Sequence, residues 1–291
     1  MPRTVDEGFR DFLPKLTPST WESDAAKNHR ASIEACLKSN FSLRSFFRTG
    51  SFGNGTSISG YSDVDYFASI PRANLKQDSG ATLDQVRSAL NIRFPVTGVR
   101  VNCPAVKVPF GALARESTEV VPANVVSLTD EGHLIYEIPD CSGGWMCSSP
   151  NAHNAYVQSV DQKLKGKVKP LIRFIKAWKY YKQVPISSFY LELRVAKYAD
   201  NETVILYDMD VQRIFSHLWN IQLASIRDPI GISRYINACS TDVQLENAKS
   251  KLLSASVRAN KALEAREKGS IQDAFDWWNL LYDGNFPSYY R

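Results

Sequence analysis

The chain has 291 residues, of which 44% are hydrophobic and 22% are charged, the proportions of an ordinary globular protein with a sizeable core. Its net charge of +5 suits a ligand that carries phosphate, but it is too small to indicate a dedicated nucleic-acid binder. No run of 18 uninterrupted apolar residues occurs, and the first residues contain no apolar core. We therefore expect neither a membrane span nor a signal peptide, and we predict a cytoplasmic location.

The five cysteines show no pattern that predicts a bonded or metal-binding set. Their number is odd, and no two of them have the C-x-x-C spacing. The four histidines are scattered as well, so no set of zinc ligands is visible. We expect every cysteine to be a thiol in a reducing cytosol rather than a member of a disulfide framework. The cysteines are Cys36, Cys103, Cys141, Cys147 and Cys239.

Predicted helices and strands alternate through the first half of the chain. A capping-box pattern at Ser19–Glu22 and apolar residues at helical spacing predict an amphipathic helix that ends near Ser39. Apolar spacing after an N-cap signal predicts another helix at Thr82–Ile92. Apolar and β-branched runs favour strands elsewhere. The predicted strands are Phe41–Arg48, Asp63–Ile70, Val96–Phe110 and Ser117–Ala123.

A glycine–serine turn followed by two aspartates is the pattern that most directly predicts chemistry. Because side chains alternate faces along a strand, Asp63 and Asp65 point the same way and Val64 points the other way, into a core. Adjacent carboxylates repel each other and need a cation, and Mg²⁺ takes oxygen ligands while it leaves positions for substrate phosphates. At Gly50 and Ser51 the backbone can approach such phosphates and donate hydrogen bonds. Taken separately, the turn is typical of any loop and the aspartate pair of a solvated strand edge.

Together, in this order and at this short distance, the two patterns resemble the signature of the DNA-polymerase-β-like nucleotidyltransferase superfamily. The resemblance implies a third carboxylate on a neighbouring strand. Glu119, in Glu-Val-Val-Pro-Ala, resembles that acid in the CD-NTases, relatives of cyclic GMP-AMP synthase, although most of them have aspartate there. A single glutamate in a strand more often faces solvent, and Asp130, Glu131 and Asp140 are rival candidates.

The chain is predicted to be helical from Asn151 onward, and a few residues there resemble nucleotide contacts. The Ile-Pro-Asp, Gly-Gly-Trp and Ser-Pro series before it resembles the junction between the lobes of bacterial CD-NTases. Lys176, in Ile-Lys-Ala-Trp, resembles a lysine that contacts the donor triphosphate, but it is equally typical of a solvated helix face. Ser188 resembles a serine that contacts phosphate, although a serine at a helix start is also an ordinary N-cap. Phe189 or Tyr190 is the aromatic residue that would stack on the base.

The expected fold class is α+β, with a polymerase-β-like nucleotidyltransferase core that contains a mixed β-sheet and with a helical C-terminal lobe. We predict that residues 1–150 form the core lobe with its N-terminal helix and that residues 151–291 form the helical lobe. The resemblance covers Phe47–Glu192 and implies that the nucleotide lies in the cleft between the lobes.

By resemblance, the chain joins nucleoside triphosphates (ATP, GTP, CTP or UTP) into a cyclic di- or trinucleotide second messenger in bacterial anti-phage (CBASS) signalling. Two Mg²⁺ ions, which Mn²⁺ can replace, would be held by Asp63, Asp65 and Glu119. No membrane and no obligatory nucleic acid are implied, a regulatory protein from the same defence system is a further partner, and we expect a monomer. The alternatives are another nucleotidyltransferase of this fold, which makes a linear oligonucleotide or modifies RNA, a protein or an antibiotic, and a catalytically silent nucleotide-binding protein.

Overall fold

The structure is a computed structural model, and it describes residues 2–18, 20–61, 63–110 and 116–290. Their internal contacts divide the chain into two compact units. None of the helices in these ranges combines the length and the apolar character that crossing a membrane requires. We name them the sheet unit, Pro18–Tyr156 with Ile230–Ser233, and the helical unit, Met1–Thr17 with Val157–Pro229 and Arg234–Arg291.

The sheet unit contains helices and a seven-stranded sheet. A 3₁₀ turn, Arg72–Asn74, follows the second strand. The helices are α2 (Thr20–Phe41), α3 (Gly50–Asn54) and α4 (Ser79–Arg93), and the strands are β1 (Ser45–Thr49), β2 (Val64–Ser69), β3 (Arg100–Asn102), β4 (Ala105–Phe110), β5 (Glu116–Leu128), β6 (Leu134–Pro139) and β7 (Trp145–Ser148).

The strand order places β2 and β5 at the centre of the sheet. The order is β1-β2-β5-β4-β3, and the second half of β5 also pairs with β6, which pairs with β7. The β2–β5 pair is parallel and the other neighbours are antiparallel. This confirms the predicted α+β class with a mixed sheet. The first strand begins later than predicted, because α2 continues through Phe41 and β1 starts at Ser45.

Both faces of β2 are covered by apolar side chains. Val64 belongs to the larger cluster, with Ile33 of α2 and Val86 of α4. On the opposite face, Phe67 belongs to a smaller cluster with Tyr136 of β6. A central strand that is buried on both sides is typical of a sheet with a parallel pair. The two aspartates that alternate with Val64 therefore share the face of Phe67, as the sequence pattern predicted.

The helical unit confirms that the second half of the chain is mainly helical. One of its helices lies near the N-terminus, and another begins within the last residues of the sheet unit. The elements are α1 (Val5–Leu16), α5 (Pro150–Lys163), α6 (Val168–Tyr181), α7 (Ser188–Asp200), α8 (Tyr207–Asn220), α9 (Asp242–Glu267) and α10 (Ile271–Leu281), with a hairpin of β8 (Ile226–Arg227) and β9 (Tyr235–Ile236).

Helix α1 groups with the helical unit, which differs from the predicted grouping of residues 1–150. The ring of Phe9 lies 4.9 Å from that of Phe174 and 5.0 Å from that of Trp278, measured between centroids. Phe12 lies 4.7 Å from Tyr282 in the same way. Burial of these large aromatic side chains is a strong favourable term, so it decides where α1 packs. The predicted capping residue Ser19 lies outside the described residues.

One disulfide bond corrects the expectation that every cysteine is a thiol. Cys103, in the turn between β3 and β4, is bonded to Cys141, which follows β6, with their Cα atoms 5.7 Å apart. The two residues are 38 positions apart in sequence, and their meeting depends on the order of the strands. Disulfides are rare in a reducing cytosol, so this bond does not support the predicted cytoplasmic location. That location stays a prediction. The other cysteines, Cys36, Cys147 and Cys239, are free thiols.

Candidate active site

Acidic and basic side chains meet on one face of the sheet, where β2, β5 and β4 run side by side. Asp65 is the register partner of Glu119, and Glu119 is also the register partner of Lys107. Register partners on neighbouring strands present their side chains on the same face. Asp63 directly precedes β2 and lies two residues before Asp65, so it shares that face. The sheet order thus brings the predicted third acid beside the aspartate pair.

The side chain of Lys107 links acids from two different strands. Its Nζ donates a hydrogen bond to Asp63 Oδ2 at 2.7 Å and lies 3.6 Å from Glu119 Oε1. Asn102 Nδ2 donates to the same oxygen of Glu119 at 2.7 Å. The exposed fraction of the side chain is 17% for Lys107, 19% for Glu119 and 32% for Asp63. These charges are therefore only partly in contact with water. Their mutual interactions are stronger than they would be on a fully exposed surface.

The surroundings of Glu119 make its charged form less favourable than that of a carboxyl group in water. Burial raises the pKa of the Glu119 carboxyl, and the negative charge of Asp63 raises it further. The charge of Lys107 and the hydrogen bonds from Asn102 and Lys107 act in the opposite direction without cancelling the rise in pKa. A carboxyl group whose pKa is raised by burial and by a neighbouring acid is common at functional sites.

Gly50 allows the carboxylate of Asp65 to approach the backbone. Its φ is +57°, and a Cβ atom placed on it would lie 1.8 Å from Asp65 Oδ2. Any other residue would therefore clash with this carboxylate and be strained in its own backbone. Gly50 and the buried Ser51 form the start of the short helix α3. The predicted glycine–serine turn is thus a helix start that lies against the aspartate strand.

The oxygen ligands on this face suit a divalent cation such as Mg²⁺, which prefers carboxylates and keeps water in its other positions. Asp63 and Glu119 both lie near the ammonium group of Lys107, so the space between them already accommodates positive charge. Within the described ranges, no three side chains of His, Cys, Asp or Glu are arranged so that they could hold a metal ion. As they are placed, these acids could supply one or two oxygens to an ion, and water and substrate oxygens would have to fill its other positions.

The rival acids do not belong to this cluster. Asp130 and Glu131 lie in the turn between β5 and β6, as their sequence context indicated. Asp140 accepts hydrogen bonds from the backbone N–H groups of Ser142 at 2.8 Å and Gly144 at 2.9 Å. These hydrogen bonds, that of Ser142 first, lower the pKa of the Asp140 carboxyl. Asp140 therefore stabilises a turn.

Lys176 lies in the interior of the helical unit. Its side chain is 0% exposed, and its Nζ donates a hydrogen bond to Glu192 Oε1 at 2.6 Å. The interpretation as part of a solvated helix face is therefore wrong. The pair joins α6 to α7, and this burial gives the ammonium group a structural partner. The predicted contact between Lys176 and a triphosphate stays a prediction, which the burial disfavours.

The start of α7 carries the other predicted nucleotide contacts. Ser187 is its N-cap, since the Oγ accepts a hydrogen bond from the backbone N–H of Tyr190 at 3.3 Å. The neighbouring Ser188 Oγ accepts a hydrogen bond from Lys179 Nζ. Phe189 is 39% exposed, whereas Tyr190 is buried. Of the two aromatic candidates, Phe189 is thus the more exposed.

Sequence reasoning missed two residues of the cluster, Lys107 and Asn102. The alternation of side chains along a strand predicts which residues of that strand share a face with each of them. It does not predict which other strand lies beside it. Knowing that β4 pairs with β5 would have placed Lys107 opposite Glu119 at once.

Comparison with protein families gives one match that covers more than half of the chain. The Second Messenger Oligonucleotide or Dinucleotide Synthetase domain, abbreviated SMODS, matches residues 3–161. The match contains the whole candidate site on β2, β4 and β5.

Two curated relatives are similar to this chain over a larger part of it than the family match covers. A probable cyclic nucleotide synthase of Bacillus cereus (strain VD146) is 28% identical in an alignment of length 177 that covers 59% of this chain and 52% of that protein. The cyclic AMP-AMP-AMP synthase of Acinetobacter sp. (strain ATCC 27244 / 9458) is 26% identical in an alignment of length 245 that covers 79% of this chain and 66% of that protein. The chain thus spans between about half and two thirds of the length of these relatives.

The structural similarity concerns the fold. CdnC of E. coli MS115-1, solved with ATP, has a TM-score of 0.73 and 21% identity, and the match covers 97% of this chain and 98% of that one. The same protein has also been solved in a complex with HORMA-deltaN, with a TM-score of 0.72. Since the family match includes the strands on which the acids were predicted and found, the chain belongs to the SMODS family, within the CD-NTases that its sequence resembles.

Proposed function

We propose that the chain is a template-independent nucleotidyltransferase that joins nucleoside triphosphates into a cyclic di- or trinucleotide and releases pyrophosphate. The observation that carries the proposal is the placement of Asp63 and Glu119, from neighbouring parallel strands, around one position that accommodates a cation. Membership of the family supports the class of reaction. The relative that makes cyclic AMP-AMP-AMP supports ATP as the first substrate to test.

The chain contributes to phosphoryl transfer mainly by positioning and by neutralising charge. Asp63, Asp65 and Glu119 would hold two Mg²⁺ ions, for which Mn²⁺ can substitute. When bound, these ions supply charge neutralisation at the acceptor hydroxyl and at the leaving pyrophosphate. Strand pairing keeps Asp65 beside Glu119, and Gly50 leaves space for the carboxylate of Asp65.

Further contacts with the nucleotide are proposed for both units. In the sheet unit, Gly50 and Ser51 would bind phosphate through the start of α3. In the helical unit, Ser188 would bind phosphate and Phe189 would stack on a base. For Lys176 we propose a supporting role, because its ion pair with Glu192 anchors the first turns of α7 next to Ser188.

We also propose a regulatory protein partner for the chain. The support is that CdnC, whose fold this chain shares, has been solved in a complex with HORMA-deltaN. A protein of that class is the first candidate to test as an activator. The proposed setting is cyclic-oligonucleotide signalling in bacterial defence against phage, with a monomeric enzyme in the cytoplasm.

The decisive experiment is product analysis. The protein is incubated with the four ribonucleoside triphosphates and Mg²⁺ or Mn²⁺, with and without the HORMA-class protein, and phosphatase-treated products are weighed by mass spectrometry. We expect a phosphatase-resistant cyclic oligonucleotide, and we expect Asp63→Asn to abolish it while the fold remains intact. Asp130→Asn is the control, because it changes an acid in a turn. A linear product, recognised by the loss of its terminal phosphate to phosphatase, or an active Asp63→Asn variant, would contradict the proposal.

A further inference from the structure

The ammonium group of Lys107 lies where two acids of the candidate site come together. Lys107 extends from β4, opposite Glu119, and reaches across to Asp63 at the start of β2. Its Nζ is 2.7 Å from Asp63 Oδ2 and 3.6 Å from Glu119 Oε1. Its side chain is 17% exposed, so the position is partly shielded from water. The lysine is therefore part of the carboxylate cluster and not a surface cation that happens to be near.

The cluster needs this positive charge in the absence of a metal ion. Asp63 and Glu119 are both acids whose side chains approach Lys107 Nζ, so their negative charges repel each other. Asn102 donates to Glu119, but it carries no charge and does not reach both acids in the hydrogen bonds described. Among the ion pairs of the described residues, that of Lys107 is the one that includes both acids. Without it, the two carboxylates would lose the charge that attracts both of them.

A divalent ion bound by the same oxygens would need the space that Lys107 occupies. Mg²⁺ binds carboxylate oxygens at about 2.0–2.1 Å, closer than the 2.7 Å between Lys107 Nζ and Asp63 Oδ2. An ammonium group and a divalent ion on one carboxylate oxygen would repel each other strongly. Because lysine has a flexible four-carbon stem, its charged end can move away while its backbone stays in β4.

We propose that Lys107 is a resident counter-cation, which holds Asp63 and Glu119 together in the metal-free protein and is displaced when a divalent ion binds between them. Lys107 is thus a positioning residue that sets the metal concentration at which the site fills. This inference rests on the proposed function for the identity of the metal site, but it concerns metal binding and not turnover.

The test measures Mn²⁺ binding to the full chain by isothermal titration calorimetry, without nucleotide. We expect Lys107→Met to bind Mn²⁺ at least about tenfold more tightly than the wild type, because no cation has to be displaced. Lys163→Met is the matched control, since it removes a lysine from an exposed pair with Asp200 and should leave the affinity unchanged. Equal or weaker binding to Lys107→Met would overturn the proposal.

A second readout follows thermal unfolding with and without Mg²⁺. We expect Lys107→Met to melt below the wild type in chelator and to gain more from Mg²⁺ than the wild type does. Lys107→Gln, which keeps a polar end without charge, should show the same pattern if Lys107→Met folds poorly. An equal gain in the melting temperature for wild type and both variants would count against the inference.

Asp63→Asn separates this proposal from the proposed function. If Asp63→Asn binds Mn²⁺ as the wild type does, the metal site has been assigned to the wrong residues, and both proposals fail. If Asp63→Asn loses binding while Lys107→Met shows no increase, the site stands and only the role of Lys107 is overturned.

Discussion

Two lysine–carboxylate ion pairs in the described part of the chain have almost the same distance between nitrogen and oxygen but very different surroundings. In the helical unit, Lys176 Nζ lies 2.6 Å from Glu192, and the lysine side chain is 0% exposed. In the sheet unit, Lys107 Nζ lies 2.7 Å from Asp63 and also approaches Glu119, with its side chain 17% exposed. The distance between nitrogen and oxygen therefore does not distinguish a buried pair from a partly exposed one in the candidate site.

The number of carboxylates and their access to water make the difference. A buried pair is closed to exchange, and removing one member leaves an uncompensated charge in a medium of low polarity. In the sheet unit, a lysine shared between two acids leaves more negative charge than one ammonium group can neutralise. The comparison teaches that the proposed exchange of cations rests on a surplus of carboxylate charge together with partial exposure, which the pair in the helical unit lacks.

The largest effect on stability is expected when the buried pair of Lys176 and Glu192 is broken. Lys176→Met leaves Glu192 without its ammonium partner, and we expect it to destabilise the protein by about 3–5 kcal/mol. Combining it with Glu192→Leu should restore most of that stability, because no charge remains buried. Urea unfolding followed by tryptophan fluorescence measures both. A loss below about 1 kcal/mol in the single variant would mean that the pair is open after all.

The second largest expected effect is the loss of stability when the disulfide near the candidate site is removed. The bond ties Cys103, next to Asn102, to Cys141, so it supports the turn that carries the hydrogen-bond donor to Glu119. We expect Cys141→Ser to cost about 2–4 kcal/mol under oxidising conditions, through the greater freedom of the unfolded chain. Cys147→Ser, which removes an exposed free thiol, is the control. If a thiol reductant leaves the stability of the wild type unchanged, the bond does not contribute in solution.

A smaller effect on stability and a large one on activity is expected at Gly50. Gly50→Ala adds a Cβ atom against Asp65 and strains a backbone with positive φ, at a cost of about 1–2 kcal/mol. Because the clash displaces a proposed metal ligand, turnover should fall by about a hundredfold. Gly60→Ala is matched, since Gly60 has φ +75° and no atom within 4 Å of the added Cβ. Similar activity of both variants would show that the position of Asp65 is not critical.

The smallest effect concerns a carboxylate held by neutral donors instead of lysine. Since the folded protein lowers the pKa of Asp140, this group stabilises the fold above its ordinary pKa, and that stabilisation is lost as the pH falls through the lowered value. Asp140→Asn can keep the acceptor but cannot titrate. Between about pH 5 and pH 3, its urea midpoint should therefore fall less steeply than that of the wild type. An identical slope would mean that the turn gains nothing from the charge, and Asp130→Asn controls for the loss of an acid.

Much of the candidate site could be predicted because it rests on local pattern. Alternation along one strand places Asp63 and Asp65 together, and a glycine in a turn marks a place where another group can approach the backbone closely. The third acid was predicted through resemblance, and the register of β2 with β5 confirms its place beside Asp65. The roles of Ser188 and Phe189 stay predictions, since no contact in the structure tests them.

The sequence by itself determined the α+β class, the helical second half of the chain and the two aspartates on one face, because strand and helix periodicities act over a few neighbouring residues. Only the tertiary structure decided that Lys107 reaches Asp63, 44 positions away, that Cys103 is bonded to Cys141, and that Lys176 is buried. These outcomes depend on which elements become neighbours. That choice is made by burial of apolar surface over the whole fold, and no local spacing contains it.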